Sequence, residues 1–252
     1  MKIFFKNLKK FVNGIILIIR SSLQIKKYNI GVFIIIRFIL DIFFIYLVNI
    51  IKYKKIKNIF FNHYNKKFYI TYNWFGNNAQ IWFFFFKKFK LFDKKISILE
   101  IGSFEGLSII FYYKFLKKIN VTSVDCLDKN TVYFKNFKRN TKKFKNFYFF
   151  NVNARQFFKI NKNKKYDLIY VDSSHVYKDV FFEGKKCLKL LNNKGILIFD
   201  DLLYTRTFKK KKHAFKNVIG GVMLFLDWAK KIKNDYKIKI HYVGHQVIIQ
   251  KI

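Results

Sequence analysis

The stretch that decides the fold is Ile96–Gly106, ISILEIGSFEG. A short, mostly apolar run is the mark of a strand buried on both faces. Gly102 and Gly106 then interrupt it, and glycine lets a backbone turn sharply or approach a ligand closely. Ser108–Lys118 follows with helical spacing, so the stretch reads as strand, glycine turn and helix.

The alternation continues outward. Val121–Val124 is a second strand that ends at Asp125, and a charged helix is expected over Thr131–Lys143. Phe147–Val152 is a third strand. Asp167–Val171 (DLIYV) is a fourth, ending at Asp172, with a helix over Val176–Leu191. Gly195–Phe199 (GILIF) is a fifth, closed by Asp200-Asp201. A Lys-rich loop, Lys209–Lys212, leads to a long helix at about Ala214–Lys233. Two strands end the chain, Ile238–Val243 and Gln246–Ile252, joined by Gly244-His245. Strands alternating with helices predict a parallel sheet covered by helices on both faces. The fold class is therefore α/β: a Rossmann-like, doubly wound, mostly parallel seven-stranded sheet with a C-terminal antiparallel hairpin.

Composition narrows the function. In 252 residues, hydrophobic types make up 52 %, which excludes wholesale disorder. Lys and Arg number 51 against 14 acids, a formal charge of +37. Only five of the cations are Arg, the chain is rich in Phe, Ile, Asn and Tyr, and it has no Pro. The enriched types share AT-rich codons. The charge is thus read as a solvated surface rather than a dedicated phosphate-binding face, and nucleic acid is not expected as a partner. Cys126 and Cys187 fit no metal or disulfide spacing, which points to a reducing compartment.

Residues 1–57 differ in texture, with Asp41 as their one acid. Gly31–Ile51 is a nearly unbroken apolar run of 21 residues, interrupted by Arg37 and Asp41. These lie four apart, so on a helix they share a face and can pair. The region is expected to form one or two apolar helices that lie on an anionic membrane surface or cap the main domain. Residues 58–93 would connect, or form a lid over substrate, and residues 94–252 would form the main domain. The location expected is cytoplasmic, at the inner face of the membrane.

In open α/β sheets ligands bind beyond the carboxyl ends of the strands. The scarce acids collect there: eleven of the 14 lie between Asp93 and Asp201, and Glu100, Asp125, Asp172 and Asp200 each end a strand. A pyrophosphate would face Glu100 and Glu105 and be repelled. A sulfonium cofactor with an amino-acid tail and an adenosine would not. Asp125, nineteen residues past Gly106, closes the second strand, where an acid can bond ribose hydroxyls.

These residues resemble the class I S-adenosylmethionine-dependent methyltransferases. The E-x-G-x-x-x-G turn over Glu100–Gly106, the acid Asp125 and the terminal hairpin carry the resemblance, which covers about residues 94–252. It implies that S-adenosylmethionine is bound, that Glu100, Gly102, Ser103 and Gly106 line its methionine end, that Asp125 holds the ribose, and that Asn153 and Ala154 lie near the adenine. Asp172-Ser173-Ser174-His175-Val176-Tyr177, with Asp200-Asp201, is similar to the D-G-S-H-x-Y … D-D pattern of the macrocin-type and catechol-type O-methyltransferases, with Ser173 in the place of Gly. That resemblance implies Mg²⁺ on Asp172, Asp200 and Asp201. A hard cation on oxygen ligands lowers the pKa of a bound hydroxyl and orients it. His175, beside Asp172, could take the proton, because an imidazole's ordinary pKa near 6.5 suits a general base.

Upstream, Tyr72–Phe75 and Asn77–Trp82 resemble a D-W-F-S-x-N-I-x-x-W stretch of related bacterial enzymes, with Asn73 where that stretch has Asp. Trp74 and Trp82 read as packing residues. The activity expected is methyl transfer to a hydroxyl of a small molecule or glycan. Two alternatives stand beside it: an RNA methyltransferase using the basic surface, and a membrane-associated cofactor-binding protein without catalysis. Without Pro, an N-P-P-Y-like motif is excluded.

Overall fold

The computed structural model describes residues 2–76, 78–205, 211–232 and 236–252. Asn77, Lys209, Lys210 and Lys233, named in the sequence reading above, lie outside the described residues. The elements are α1 (Lys2–Gln24), α2 (Tyr28–Lys52), α3 (Lys54–Lys67), α4 (Ala79–Lys88), β1 (Lys95–Ile101), α5 (Leu107–Phe115), β2 (Lys118–Asp125), α6 (Val132–Thr141), β3 (Phe147–Asn151), α7 (Ala154–Ile160), β4 (Tyr166–Val171), α8 (Tyr177–Leu190), β5 (Leu191–Phe199), α9 (Val218–Lys231), β6 (Ile238–Val243) and β7 (Val247–Lys251). The strands form one seven-stranded sheet in the order β3-β2-β1-β4-β5-β7-β6, the doubly wound architecture read from the sequence. The chain divides into two compact units, Phe43–Ser173, and Met1–Ile42 with Ser174–Ile252.

In the unit Phe43–Ser173, β1 pairs in parallel with β2 and with β4, placing Glu100 opposite Ser123 and Tyr170. β2 pairs in parallel with β3, with Asp125 opposite Asn151. The runs are apolar because their middles are buried on both faces: Ile98, Leu99, Val121, Leu168 and Ile169 have no exposed surface. Trp82 of α4 is equally buried, stacked on Tyr112 at 5.3 Å and edge-on to Tyr170 at 4.7 Å, as a packing residue should be.

In the other unit, β7 runs antiparallel to β5 and to β6, so Phe199 lies opposite Val247 and Val243 opposite Val247. Helices α8 and α9 pack together. The N-terminal helices are part of this packing. Asp41 is buried; its carboxylate accepts from Arg37 at 3.0 Å and from the Val243 N–H at 2.9 Å, and Arg37 also donates to the His241 carbonyl at 3.2 Å. The pair expected from its spacing of four thus forms, and it holds α2 to β6. Lys27 pairs with Asp227 of α9 at 2.8 Å, and Phe11 of α1 stacks on Phe38 of α2 at 5.6 Å. Among the described residues no helix is long and apolar enough to cross a membrane.

Boundaries shift for local reasons. α9 begins at Val218, not Ala214, because Lys211–Lys216 is a 3-10 turn with a non-helical His213. β5 begins at Leu191, ahead of Gly195, passing through a left-handed Lys194. α7 was not anticipated. Its start is a capping box: the Gln156 N–H donates to Asn153 Oδ1, and the Asn153 N–H donates to the Gln156 side chain.

Candidate active site

The glycine turn between β1 and α5 is fixed by backbone geometry. Gly102 has φ +88°, and a Cβ there would collide with the Asp172 carbonyl; Gly106 has φ +82° and caps α5. Both positions are ones that only glycine takes without strain. Asp125 braces the turn from the end of β2. Its Oδ2 accepts the Ser103 and Phe104 N–H groups, each at 2.8 Å, and its Oδ1 accepts the Cys126 N–H at 2.7 Å. Burial pushes the Asp125 carboxyl upward, and these three N–H groups pull it back. A carboxylate has about four lone-pair directions, so after three backbone bonds about one remains for a ligand hydroxyl.

The other acids of the turn are not on its surface. Glu100 is wholly buried and accepts from the Ser108 hydroxyl; burial raises its pKa to about 8, against hydrogen bonds from Ser108 and Tyr112 and with a push from Asp125. Glu105 is also buried, and its carboxylate accepts the Thr71 N–H at 2.6 Å, the Thr71 hydroxyl at 2.7 Å and the Asn136 amide at 2.7 Å. Glu100 and Glu105 thus stand inside the turn rather than at its surface, and Asp125 is the acid at its edge. Ser103 is buried, with its hydroxyl bonded to that of Ser123. Asn153 and Ala154 stand at the start of α7, where Asn153 is engaged in its capping box.

An aromatic shelf stands beside the turn. Trp74, two-thirds exposed at 67 %, stacks on Phe104 at 4.5 Å and on Tyr72 at 5.3 Å, and Tyr133 lies 4.8 Å from Phe104. Trp74 is thus not the packing residue its sequence setting suggested. Asn73 accepts the Gly76 N–H at 2.7 Å and acts as a turn cap. Asp172 ends β4; its N–H donates to the Ile101 carbonyl at 2.8 Å, and the Tyr170 hydroxyl donates to its Oδ2 at 3.2 Å.

The second constellation lies at the end of β5. Asp200 is buried and Asp201 half-buried, the latter in a left-handed conformation (φ +54°). His175 Nε2 is 2.9 Å from Asp201 Oδ2, and its ring packs on Tyr204 at 4.2 Å between centroids. An imidazole held through one nitrogen by a carboxylate has its tautomer and direction set, and its other nitrogen is directed elsewhere. His245, in the β6–β7 turn, was not singled out from the sequence: its Nδ1 lies 3.3 Å from Asp200 Oδ1 and its Nε2 3.4 Å from Asp201 Oδ1. The bond to Asp200, with the charges of Asp200 and Asp201, raises the pKa of this exposed imidazole. The only sequence signal was a histidine in a tight turn at the carboxyl edge of the sheet.

The donor chemistry fits both groups that the resemblance implies. Asp200, Asp201 and His245 each offer one ligand atom, and these lie within 4.8 Å of one another, a set of oxygen and imidazole donors suited to a divalent cation. The glycine turn with Asp125 suits a cofactor carrying positive charge and ribose hydroxyls.

No curated protein matches the sequence. A family model described as a methyltransferase domain matches residues 99–202. The MycE methyltransferase of the mycinamycin biosynthetic pathway, solved with Mg and SAH, superposes with a TM-score of 0.55 at 13 % identity, covering 78 % of this chain and 53 % of that one. The chain thus spans about half the length of that enzyme. A putative caffeoyl-CoA O-methyltransferase from Staphylococcus aureus gives 0.53 at 18 % identity, covering 84 % and 99 %. TomG, an O-methyltransferase from Streptomyces achromogenes solved with SAM, gives 0.52 at 13 %, covering 85 % and 96 %. At these identities the likeness is one of fold, and residues 99–202 resemble a methyltransferase domain.

Proposed function

We propose that the protein transfers a methyl group from S-adenosylmethionine to a hydroxyl of a small molecule or glycan, with a divalent cation, Mg²⁺ by resemblance, on Asp200, Asp201 and His245. The observation that carries the reading is His175 held at 2.9 Å by Asp201, next to Asp200 at the end of β5. A carboxylate-held imidazole beside paired carboxylates is what deprotonation of a weakly acidic hydroxyl requires.

The roles divide by chemistry. S-adenosylmethionine supplies a methyl on a sulfonium, so no activation of the donor is needed. Gly102, Ser103 and Gly106 present backbone to its methionine end, and Glu100 fixes the turn from beneath. Asp125 accepts a ribose hydroxyl through its remaining lone pair, and Asn153 and Ala154 edge the adenine. Asp200, Asp201 and His245 would hold a divalent cation, which would lower the pKa of a bound acceptor hydroxyl. His175 then takes the proton on the nitrogen that Asp201 leaves free, and Asp201 stabilises the imidazolium that results. The shelf of Trp74, Phe104 and Tyr72 supports an acceptor with a flat or apolar face, as a phenol or a sugar ring has.

Isothermal titration of the folded protein with S-adenosylmethionine tests the reading. Measurable binding is expected, with Asp125→Ala at least tenfold weaker. A folded sample that binds no cofactor would sink it. Asp200→Asn should lower turnover far more than cofactor affinity, and an equal loss of both would remove the metal assignment.

A further inference from the structure

Helix α2 is built inside out. Its two described charges face the protein, since Arg37 and Asp41 are bonded to each other, to the His241 carbonyl and to the Val243 N–H. Ile34 and Phe38 are buried on that same side, and a second set of apolar side chains faces away. Val32, Phe33, Ile36, Ile39, Leu40 and Phe43 are all exposed, with Leu40 at 57 % and Phe43 at 70 %. The spacing of 32, 36, 39 or 40, and 43 puts them on one helical stripe. Helix α1 repeats the pattern: Val12, Ile16, Ile19 and Leu23 are exposed at spacings of four, three and four, while Gly14, Ile18, Ser21 and Ser22 are buried. A surface helix in water shows the opposite arrangement, with charge outward and apolar groups inward. Scattered exposed apolar residues are ordinary, but two continuous stripes on adjoining helices are not.

The surroundings say what covers them. Lys9 and Lys10 near the start of α1 and Lys26 at the α1–α2 turn are exposed, and no acid is exposed on either helix among the described residues. A second copy of this chain would bring the same lysines face to face, on a protein of formal charge +37. Anionic lipid has the complementary charge, and its acyl layer accepts the apolar stripes.

We propose that the α1–α2 pair lies flat in the headgroup layer of an anionic membrane, with the apolar stripes inserted and Lys9, Lys10 and Lys26 on the phosphates. The protein is bound to one leaflet and does not cross it. The ordinary polar face of an interfacial helix is replaced here by the protein itself, since Arg37 and Asp41 bond to β6 and its end. The catalytic residues take no part, so methyl transfer and lipid binding are separable properties.

Flotation of the full-length chain with vesicles tests this, comparing phosphatidylcholine alone with an equimolar phosphatidylcholine–phosphatidylglycerol mixture. The wild type should float with the anionic vesicles and be released by salt. Ile36→Asp with Leu40→Asp should weaken this binding at least tenfold with an unchanged melting temperature and unchanged S-adenosylmethionine affinity. Lys9→Glu with Lys26→Glu, both at exposed positions that cannot disturb the core, should weaken it by at least about fivefold per lysine. The proposal is overturned if the wild type floats with neither vesicle, if it floats equally with both, or if the lysine pair has no effect. It is also overturned if sedimentation velocity shows a dimer that Ile36→Asp dissolves, for then a second copy is the occupant.

Discussion

Glu100 links the acidity of one buried group to the stability of the whole fold. Its ordinary pKa of 4.5 rises to about 8 because the carboxyl has no exposed surface and only Ser108 and Tyr112 oppose the desolvation. Between those values the folded chain holds a proton that the unfolded chain has released. Stability must therefore fall as pH rises through this window, by up to 1.36 kcal/mol per pH unit. Over the gap between 4.5 and about 8 the loss approaches about 5 kcal/mol, a large part of a domain's total stability. It is absent below 4.5 and complete above about 8. Glu100→Gln keeps the shape and the acceptor for Ser108 but cannot ionise. Urea unfolding of both proteins at about pH 5 and about pH 9 isolates the term, since every other carboxylate cancels in the difference. The Gln variant should gain several kcal/mol on the wild type between the two conditions. Curves that run parallel in pH would refute the burial argument. Because Glu100 leads into the glycine turn, S-adenosylmethionine affinity should also weaken in alkali for the wild type and not for the variant.

Three other outcomes follow from named contacts. Gly102→Ala places a Cβ on the Asp172 carbonyl at φ +88°, so it should lower the unfolding free energy by about 1–3 kcal/mol and cofactor affinity at least tenfold, read by thermal melting and titration calorimetry. Native affinity would mean that the turn does not touch the cofactor. His175→Ala should reduce kcat by about a hundredfold or more and flatten the acid limb of the pH–rate profile, with cofactor binding retained. An unchanged profile counts against a base there. Asp41→Ala strands Arg37 and the Val243 N–H, and denaturant unfolding should report a loss of about 2–4 kcal/mol. Arg37→Met added to it should change little, because the two act as one unit.

The strands were legible because burial on both faces forces continuous apolar runs, as in Ile96–Ile101 and Gly195–Phe199. Helix α7 was not, since its start is written in two polar side chains, Asn153 and Gln156, within a chain where Asn is common. Helices α3 and α4 share one texture of Lys, Phe and Asn with their connections, and periodicity cannot divide such a stretch. The Arg37–Asp41 pair was readable from its spacing. The direction it faces was not, because an apolar stripe marks a helical face without naming the solvent on the other side.

The acids of the sheet and its turns show why site reading stops where it does. All looked alike in sequence, yet they divide by the partner each one finds. Glu100 and Glu105 turn inward, Glu100 to the Ser108 hydroxyl and Glu105 to Thr71 and Asn136. Asp167 accepts the Ser97 N–H at 2.8 Å and joins β4 to β1. Asp125 binds three backbone N–H groups and keeps one direction open, so it is at once part of the scaffold and able to meet a ligand. At the end of β5 imidazoles join the backbone as partners: Asp200 accepts the Asp201 N–H at 2.7 Å, and His175 and His245 converge on Asp200 and Asp201. An imidazole gains and loses a proton near neutral pH, whereas a backbone N–H serves only as a hydrogen-bond donor, so a carboxylate paired with imidazole is placed where proton transfer is possible and one saturated by backbone holds the fold. Three-dimensional pairing makes that distinction, and His245 comes from a turn 44 residues away from Asp201 in the chain.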